Sequence, residues 1–252
     1  MRAAILLCGQ MRRYEDADVL NSLHRFFHLF EHCDVFVSTW NRRGVSHNHG
    51  NTIHRPDEED IVSGEALQRA YGPWLRAAAI HDSGVWSAGL QGVPRQIYEE
   101  GFEWTGMKIK GTSIPQLFTL WDANRLRKDY ERSTGTRYDV VIRCRPDVQF
   151  DEEEAFHQRW FRNIDPRTIY AINCRRTGAF FANRIYDIFF YGCSQAMDAV
   201  CDAYYQVEEL VRHPFQNGLH PRDVCRMLYV QANQQYGLSV ADVDCELCKV
   251  KR

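Results

Sequence analysis

The chain lacks most of what would tie a protein to a membrane or a nucleic acid. No apolar run in its 252 residues approaches the ~20 that a helix needs to cross a bilayer, so no membrane span is expected. Its formal net charge is only −2, so no global field draws it to nucleic acid or anionic lipid, and neither is expected as a partner. Two phosphate-binding fingerprints are missing. There is no G-x-G-x-x-G, which excludes the usual dinucleotide turn, and no G-x-x-x-x-G-K-[ST], which excludes a Walker loop. Cys245 and Cys248 make one C-x-x-C with no second pair, too little for a structural zinc site. Nine cysteines, odd in number and scattered, do not read as a disulfide framework, and reduced thiols in a cytoplasmic setting are expected. Repeats, low-complexity tracts and clean linkers are also absent, which predicts one domain over 1–252.

What is present is a strand and helix alternation. The apolar start, Ala3 to Cys8, ends at Gly9-Gln10-Met11-Arg12-Arg13 without a small-residue cleavage site, and reads as a first strand rather than a signal peptide. Asp16 to Phe30 repeats apolar residues on one helical face, and Cys33 to Trp40 is a second strand. That βαβ unit predicts a parallel pair joined by a right-handed crossover. Asn41 to Pro56 is polar, with His47, His49 and His54. A solvated loop is expected there, since no cysteine or carboxylate completes a metal-ligand spacing.

Further helices are predicted over Asp57 to Tyr71, Gln116 to Ser133, Ser194 to His213 and Pro221 to Tyr236. Strands are predicted at Ala77 to His81, Val140 to Ile142, Thr168 to Asn173, around Ile185 to Cys193, and at Leu238 to Val240. Gly84 to Gly111 carries no clear pattern. The fold expected is α/β, a mostly parallel central sheet flanked by helices in the Rossmann-like manner.

The densest chemistry lies in Tyr138-Asp139-Val140-Val141-Ile142-Arg143-Cys144-Arg145-Pro146-Asp147. A β-branched apolar run of this kind reads as an interior parallel strand, and ligands bind outside the carboxyl ends of such strands. Arg143 and Arg145 suit phosphate oxygens, and Asp147 suits a divalent metal, manganese or magnesium, or a hydroxyl. Without a metal, the two arginines could neutralise a diphosphate themselves. The plain alternative is a surface ion pair, Asp139 with Arg143 or Arg145 with Asp147. Gly9, Gln10 and Arg12, just past strand one, stand where a nucleotide meets such a sheet. Asp187, among Tyr186, Phe189, Phe190 and Tyr191, is a candidate base, or else an aspartate in a turn. His220, before Pro221, reads as a helix-start residue that could face the site.

In order, Cys8-Gly9-Gln10-Met11-Arg12, Asp34 to Trp40, Tyr138 to Asp147, then Asp187 with Tyr191-Gly192-Cys193-Ser194 and Met197-Asp198 form a series. It resembles the polysaccharide glycosyltransferases of bacteria and large DNA viruses. The resemblance implies a GT-A-like fold, a nucleotide-diphosphate sugar donor (hexosyl or pentosyl), and a glycan acceptor. It further implies a metal-holding Asp-x-Asp at the strand end. The matching triplet here is Arg145-Pro146-Asp147, which keeps only the last acid. Asp147 is then the expected metal ligand. Stereochemistry stays open: Asp187 is the candidate base if the transfer inverts, and a retaining transfer would need other groups.

Overall fold

A computed structural model of the chain describes residues 1–43, 61–101, 111–150, 160–172, 184–213, 220 and 222–243 in full, and the backbone alone at 46–48, 51–54, 102–104, 107–109 and 248–250. The first part of the chain forms β1 (Arg2–Gly9), α1 (Ala17–Phe27), β2 (His32–Trp40), β3 (Ser46–Asn48), β4 (Asn51–His54), α2 (Gly64–Tyr71) and β5 (Leu75–His81). Next come α3 (Ser83–Ala88), α4 (Gly92–Glu100), β6 (Phe102–Trp104), β7 (Met107–Ile109), α5 (Ser113–Thr134), β8 (Val140–Cys144) and β9 (Val148–Phe150). The remainder is β10 (Thr168–Ile172), β11 (Phe189–Gly192), α6 (Ser194–Cys201), α7 (Val207–Leu210), α8 (Val224–Tyr229), β12 (Ser239–Val243) and β13 (Cys248–Val250).

One seven-stranded sheet collects strands from both ends of the chain, in the order β12-β10-β11-β8-β1-β2-β5. Its pairs are parallel except those made by β11, which runs against both β8 and β10. The chain moves from β1 outward to β2 and β5, then returns to place β8 on the other side of β1. The carboxyl ends of β1 and β8 therefore flank the point where strand order reverses, which is where open α/β sheets bind ligands.

The two crossovers run in opposite directions along the sheet, so crossovers of one hand must put their helices on opposite faces. They do. Val19, Leu23, Phe26 and Phe27 of α1 pack on the face carrying Ala3, Ile5 and Leu7. Ile114, Leu117, Leu120 and Ala123 of α5 pack on the face carrying Ala4, Leu6 and Cys8. In the first layer Phe26 stacks on Phe150 with ring centroids 3.9 Å apart, and the Ser22 hydroxyl accepts the Phe150 N–H at 2.6 Å. These contacts anchor the segment that follows the Arg-Pro-Asp turn.

Some boundaries differ from expectation. The helix expected from Asp57 begins at Gly64 instead, because Ser63 caps it by accepting the Ala66 N–H at 3.1 Å. Before that cap the chain is extended, with Val62 donating to the Asn41 carbonyl at 2.9 Å. Residues 57–60 lie outside the described set. The helix expected over Ser194 to His213 is broken by a 3-10 turn at Asp202–Gln206, where Tyr204 lies against Phe118 and Trp121 at 5.4 and 5.8 Å. The last helix starts at Val224 under an Asp223 cap and widens into a π-helical turn at Val230–Gln235. The unpatterned stretch from Gly84 resolves into α3, α4 and the β6–β7 hairpin.

Residues 46–48 and 51–54 pair as a hairpin, while the side chains of His47, His49 and His54, and the C-x-x-C thiols, lie outside the described residues. Cys8, Cys33, Cys144, Cys193, Cys201 and Cys225 are unpaired thiols. No helix among the described residues is long and apolar enough to cross a membrane.

Candidate functional site

A pocket of about 160 Å³ opens at the strand-order reversal, and Gly9, Gln10, Arg12, Arg143, Arg145 and Asp187 all line it. Residues 178 positions apart in sequence thus share one wall because three different strands deliver them: β1 ends at Gly9, β8 ends before Arg145, and β11 begins after Asp187. Gly9 sits at φ 109°, in the region that side chains rarely adopt, and this turn carries the chain off β1 into the pocket rim.

Arg143 is the most constrained of the three arginines. In register it faces Leu6 and Phe190, on the apolar face packed by α5, and it is 4% exposed. Its guanidinium lies 6.0 Å from the Phe190 ring centre and its charge acts on the Cys8 thiol, while among the described residues Nη1 is buried with no hydrogen-bond acceptor. Burial pushes the Cys8 thiol up and Arg143 opposes that, leaving it raised, so Cys8 stays a neutral thiol. A buried guanidinium N–H without an acceptor is costly, and an anion entering the pocket would relieve it.

Arg12 has the same want: its Nε is buried without an acceptor among the described residues. Its pKa is lowered, first by burial and then by the charge of Arg145, with Asp147 opposing. Cys8, Pro146, Trp40, Thr112, Pro115 and Gln116 complete the wall. The last three belong to the start of α5, a 22-residue helix whose positive end therefore faces the pocket. Pro115 is tolerated there because the first turn has no intrahelical acceptors for its N–H groups. Gln116 lines the same space, and its Oε1 is buried with no partner among the described residues.

Asp147 stands apart from its expected position. It is 1% exposed and lies behind the pocket wall rather than in it. Both carboxylate oxygens are held by Arg145, Nε to Oδ1 at 2.9 Å and Nη2 to Oδ2 at 2.6 Å, and Arg12 Nη1 approaches Oδ2 at 3.8 Å. The Arg145–Asp147 pair foreseen as the plain alternative thus exists, but buried rather than at the surface. Burial works against the charge of Arg145, Asp147 outweighs it, and the guanidinium's pKa is raised. Asp139 pairs elsewhere, accepting the Arg2 backbone N–H at 2.7 Å.

A divalent cation does not fit this donor set. It would have to displace a two-pronged guanidinium from Asp147 and sit among three arginines. Among the described residues no group of three His, Cys, Asp or Glu side chains could hold a metal ion.

Asp187 lies across the pocket in the turn before β11. Arg12 and Arg145 feel its charge, and the Cys225 thiol donates to its Oδ1 at 3.9 Å. Asp223 lies close enough that Asp187 helps raise its pKa, after burial, the larger cause. His220 does not line the pocket. Its Nδ1 accepts the Arg222 N–H at 3.1 Å, the turn role expected of a residue at a helix start.

The sequence did not single out Trp40, Thr112, Pro115 or Gln116. Trp40 was visible as the last residue of a strand, and Pro115 as a helix opener. Their convergence depends on which strands become neighbours. A second cavity of about 910 Å³ adjoins the first and shares Gln10, Trp40, Thr112 and Pro115 with it. Trp86 and Tyr98 line its far side, their rings 5.6 Å apart and edge to face, and Trp40 meets Trp86 at 5.0 Å.

The fold and the site define an α/β protein with a cationic pocket at the carboxyl ends of its parallel strands. No family model matches the chain, and no curated protein matches it. It is similar to several solved structures. Mouse xyloside xylosyltransferase 1 shares 11% identity over 97% of this chain and 84% of that one, with a TM-score of 0.46. The glycosyltransferase GlyE of Streptococcus pneumoniae shares 9% over 96% of this chain and 45% of that one, at 0.45. The galactosyltransferase LgtC shares 8% over 96% of this chain and 73% of that one, at 0.43.

Proposed function

We propose that the 252 residues act as one GT-A-like domain that moves a sugar, hexosyl or pentosyl, from a nucleotide-diphosphate donor to a glycan acceptor in polysaccharide or glycoprotein glycan synthesis. The observation that carries this reading is the buried Arg143, whose Nη1 has no acceptor among the described residues, in a pocket that Arg12 and Arg145 also line. Such a group calls for a multiply charged oxyanion, and a diphosphate is one. The larger cavity beside it has room for a nucleoside, and Trp40, Trp86 and Tyr98 offer rings for a base to stack on.

In the reaction the bond from the sugar's anomeric carbon to the diphosphate oxygen breaks, and its electron pair leaves on that oxygen. Arg143 and the first turn of α5 stabilise the charge that develops there. The acceptor hydroxyl bonds to the anomeric carbon from the opposite side and gives its proton to Asp187, which faces the arginines across the pocket. The anomeric centre is inverted.

The test is incubation with a panel of nucleotide sugars, reading free nucleotide and free sugar with and without glycan acceptors. Slow release of nucleoside diphosphate plus sugar, accelerated by one acceptor class, is expected. Cleavage inside the diphosphate would make the protein a hydrolase, and binding without turnover would make it a binding module. Either result would overturn the proposal.

A further inference from the structure

We infer that this pocket takes the diphosphate directly on its arginines, with no bridging metal ion, and that Asp147 serves as the positioning residue for Arg145. The inference rests on the donor reading above, and it departs from the metal-holding role that the strand-end acid would otherwise have.

Three observations support it. First, the carboxylate that would hold a cation is already committed. Both oxygens of Asp147 meet the planar fork of Arg145, and the residue is 1% exposed. Freeing it would strand a guanidinium that is itself mostly buried. Second, two arginines that line the pocket carry unsatisfied nitrogens. Arg143 Nη1 and Arg12 Nε are both buried without acceptors among the described residues. A dication beside them would leave that want unmet and add repulsion, whereas phosphate oxygens meet it. Third, the described residues make the site cationic without a metal. Arg12, Arg143 and Arg145 against Asp147 and Asp187 leave one net positive charge around the pocket, and the positive end of α5 adds to it. That charge favours a diphosphate ester.

In this arrangement Arg143 is the fixed contact, set by the sheet. Arg145 lies beyond the end of β8 on a turn, and Asp147 keeps its fork from swinging into solvent. Pro146, between them, fixes its own φ and makes the two-residue clamp stiff.

Titration calorimetry of the whole chain settles the matter, with inorganic pyrophosphate, UDP and GDP as probes, in EDTA and again with Mn²⁺ or Mg²⁺. Affinity equal within about twofold in the two conditions is expected. Arg143→Gln should weaken pyrophosphate ~10- to 100-fold, the loss of a charge-assisted contact. Should that variant fold poorly, Arg143→Lys with circular dichroism as the check keeps the charge and loses the fork.

The positioning role of Asp147 is read by a double-mutant cycle. If Asp147 acts through Arg145, then Asp147→Asn should add no further loss of pyrophosphate affinity on top of Arg145→Gln. An additive further loss would make Asp147 a general structural residue and overturn that assignment. A tenfold or greater tightening by Mn²⁺ that vanishes in Asp147→Asn would overturn the metal-free site while leaving the donor reading intact. Pyrophosphate binding without any nucleoside diphosphate binding would keep the anion site and discard the donor. No binding of either would overturn both.

Discussion

Arg145 and Asp147 close a two-pronged ion pair across Pro146, 2.9 Å on one prong and 2.6 Å on the other, with the carboxylate facing away from solvent. A strand-end acid that looks available in the sequence is thereby turned into the support of its neighbour. Asp147→Asn should keep the fold and lower turnover by ~10- to 100-fold through a loosened Arg145. Initial rates of nucleotide release, compared with wild type, check this, and a rate within twofold of wild type would separate Asp147 from the reaction.

Gly9→Ala should destabilise the protein even though the space beside Gly9 is open. Nothing lies within 4 Å of a Cβ built there, but φ is +109°. Holding a side chain in that region costs on the order of 1–3 kcal/mol. Urea denaturation of the two proteins measures the difference, and a smaller affinity for nucleotide should accompany it because the turn forms the pocket rim.

Asp187→Ala should abolish transfer while leaving nucleoside diphosphate affinity within about twofold, since a proton acceptor acts only in the chemical step. Equilibrium binding and single-turnover rates measured on the same preparation separate the two. Loss of affinity in step with rate would move Asp187 to the donor side.

Acid stability should depend on Asp122. Its carboxylate accepts from Ser38 at 2.9 Å, from Arg125 at 2.8 Å, and pairs with His81 at 2.8 Å. Burial pushes its pKa up, and the hydrogen bonds from His81, Arg125 and Ser38 outweigh burial, so it lies below the ordinary carboxylate value. A depressed folded-state pKa gives stability that is present above the ordinary value and is lost as pH falls through the depressed one. Asp122→Asn should therefore be less stable than wild type near neutral pH, and the gap should narrow in acid, below the ordinary carboxylate range. Urea midpoints at the two pH values test it, and a gap independent of pH would assign the loss to packing.

Much of the frame was legible because the inner strands are written in unbroken apolar runs. Ala3 to Cys8 and Val140 to Ile142 stand buried on both sides, so their period leaves little choice. Gly9, Gln10, Arg12, Arg143, Arg145 and Asp187 meet in one pocket as a consequence of strand order, which the βαβ pattern already constrains. Illegible were features set by partners distant in sequence. Nothing local says that Arg145 will fold back on Asp147 instead of outward, since both directions leave the same letters in the same order. Helix starts shifted for a similar reason: acids at 57–60 suit an N-terminus, yet the cap that forms is Ser63.

The one reversed strand in the sheet separates two inheritances within the pocket. Every arginine in the pocket arrives on a forward strand or on the segment leaving one, while Asp187 arrives on the segment entering β11. Changes of length or sequence between β10 and β11 can therefore remodel what stands opposite the arginines and leave the arginines where they are. A lineage built on this frame can exchange one half of its chemistry while conserving the other.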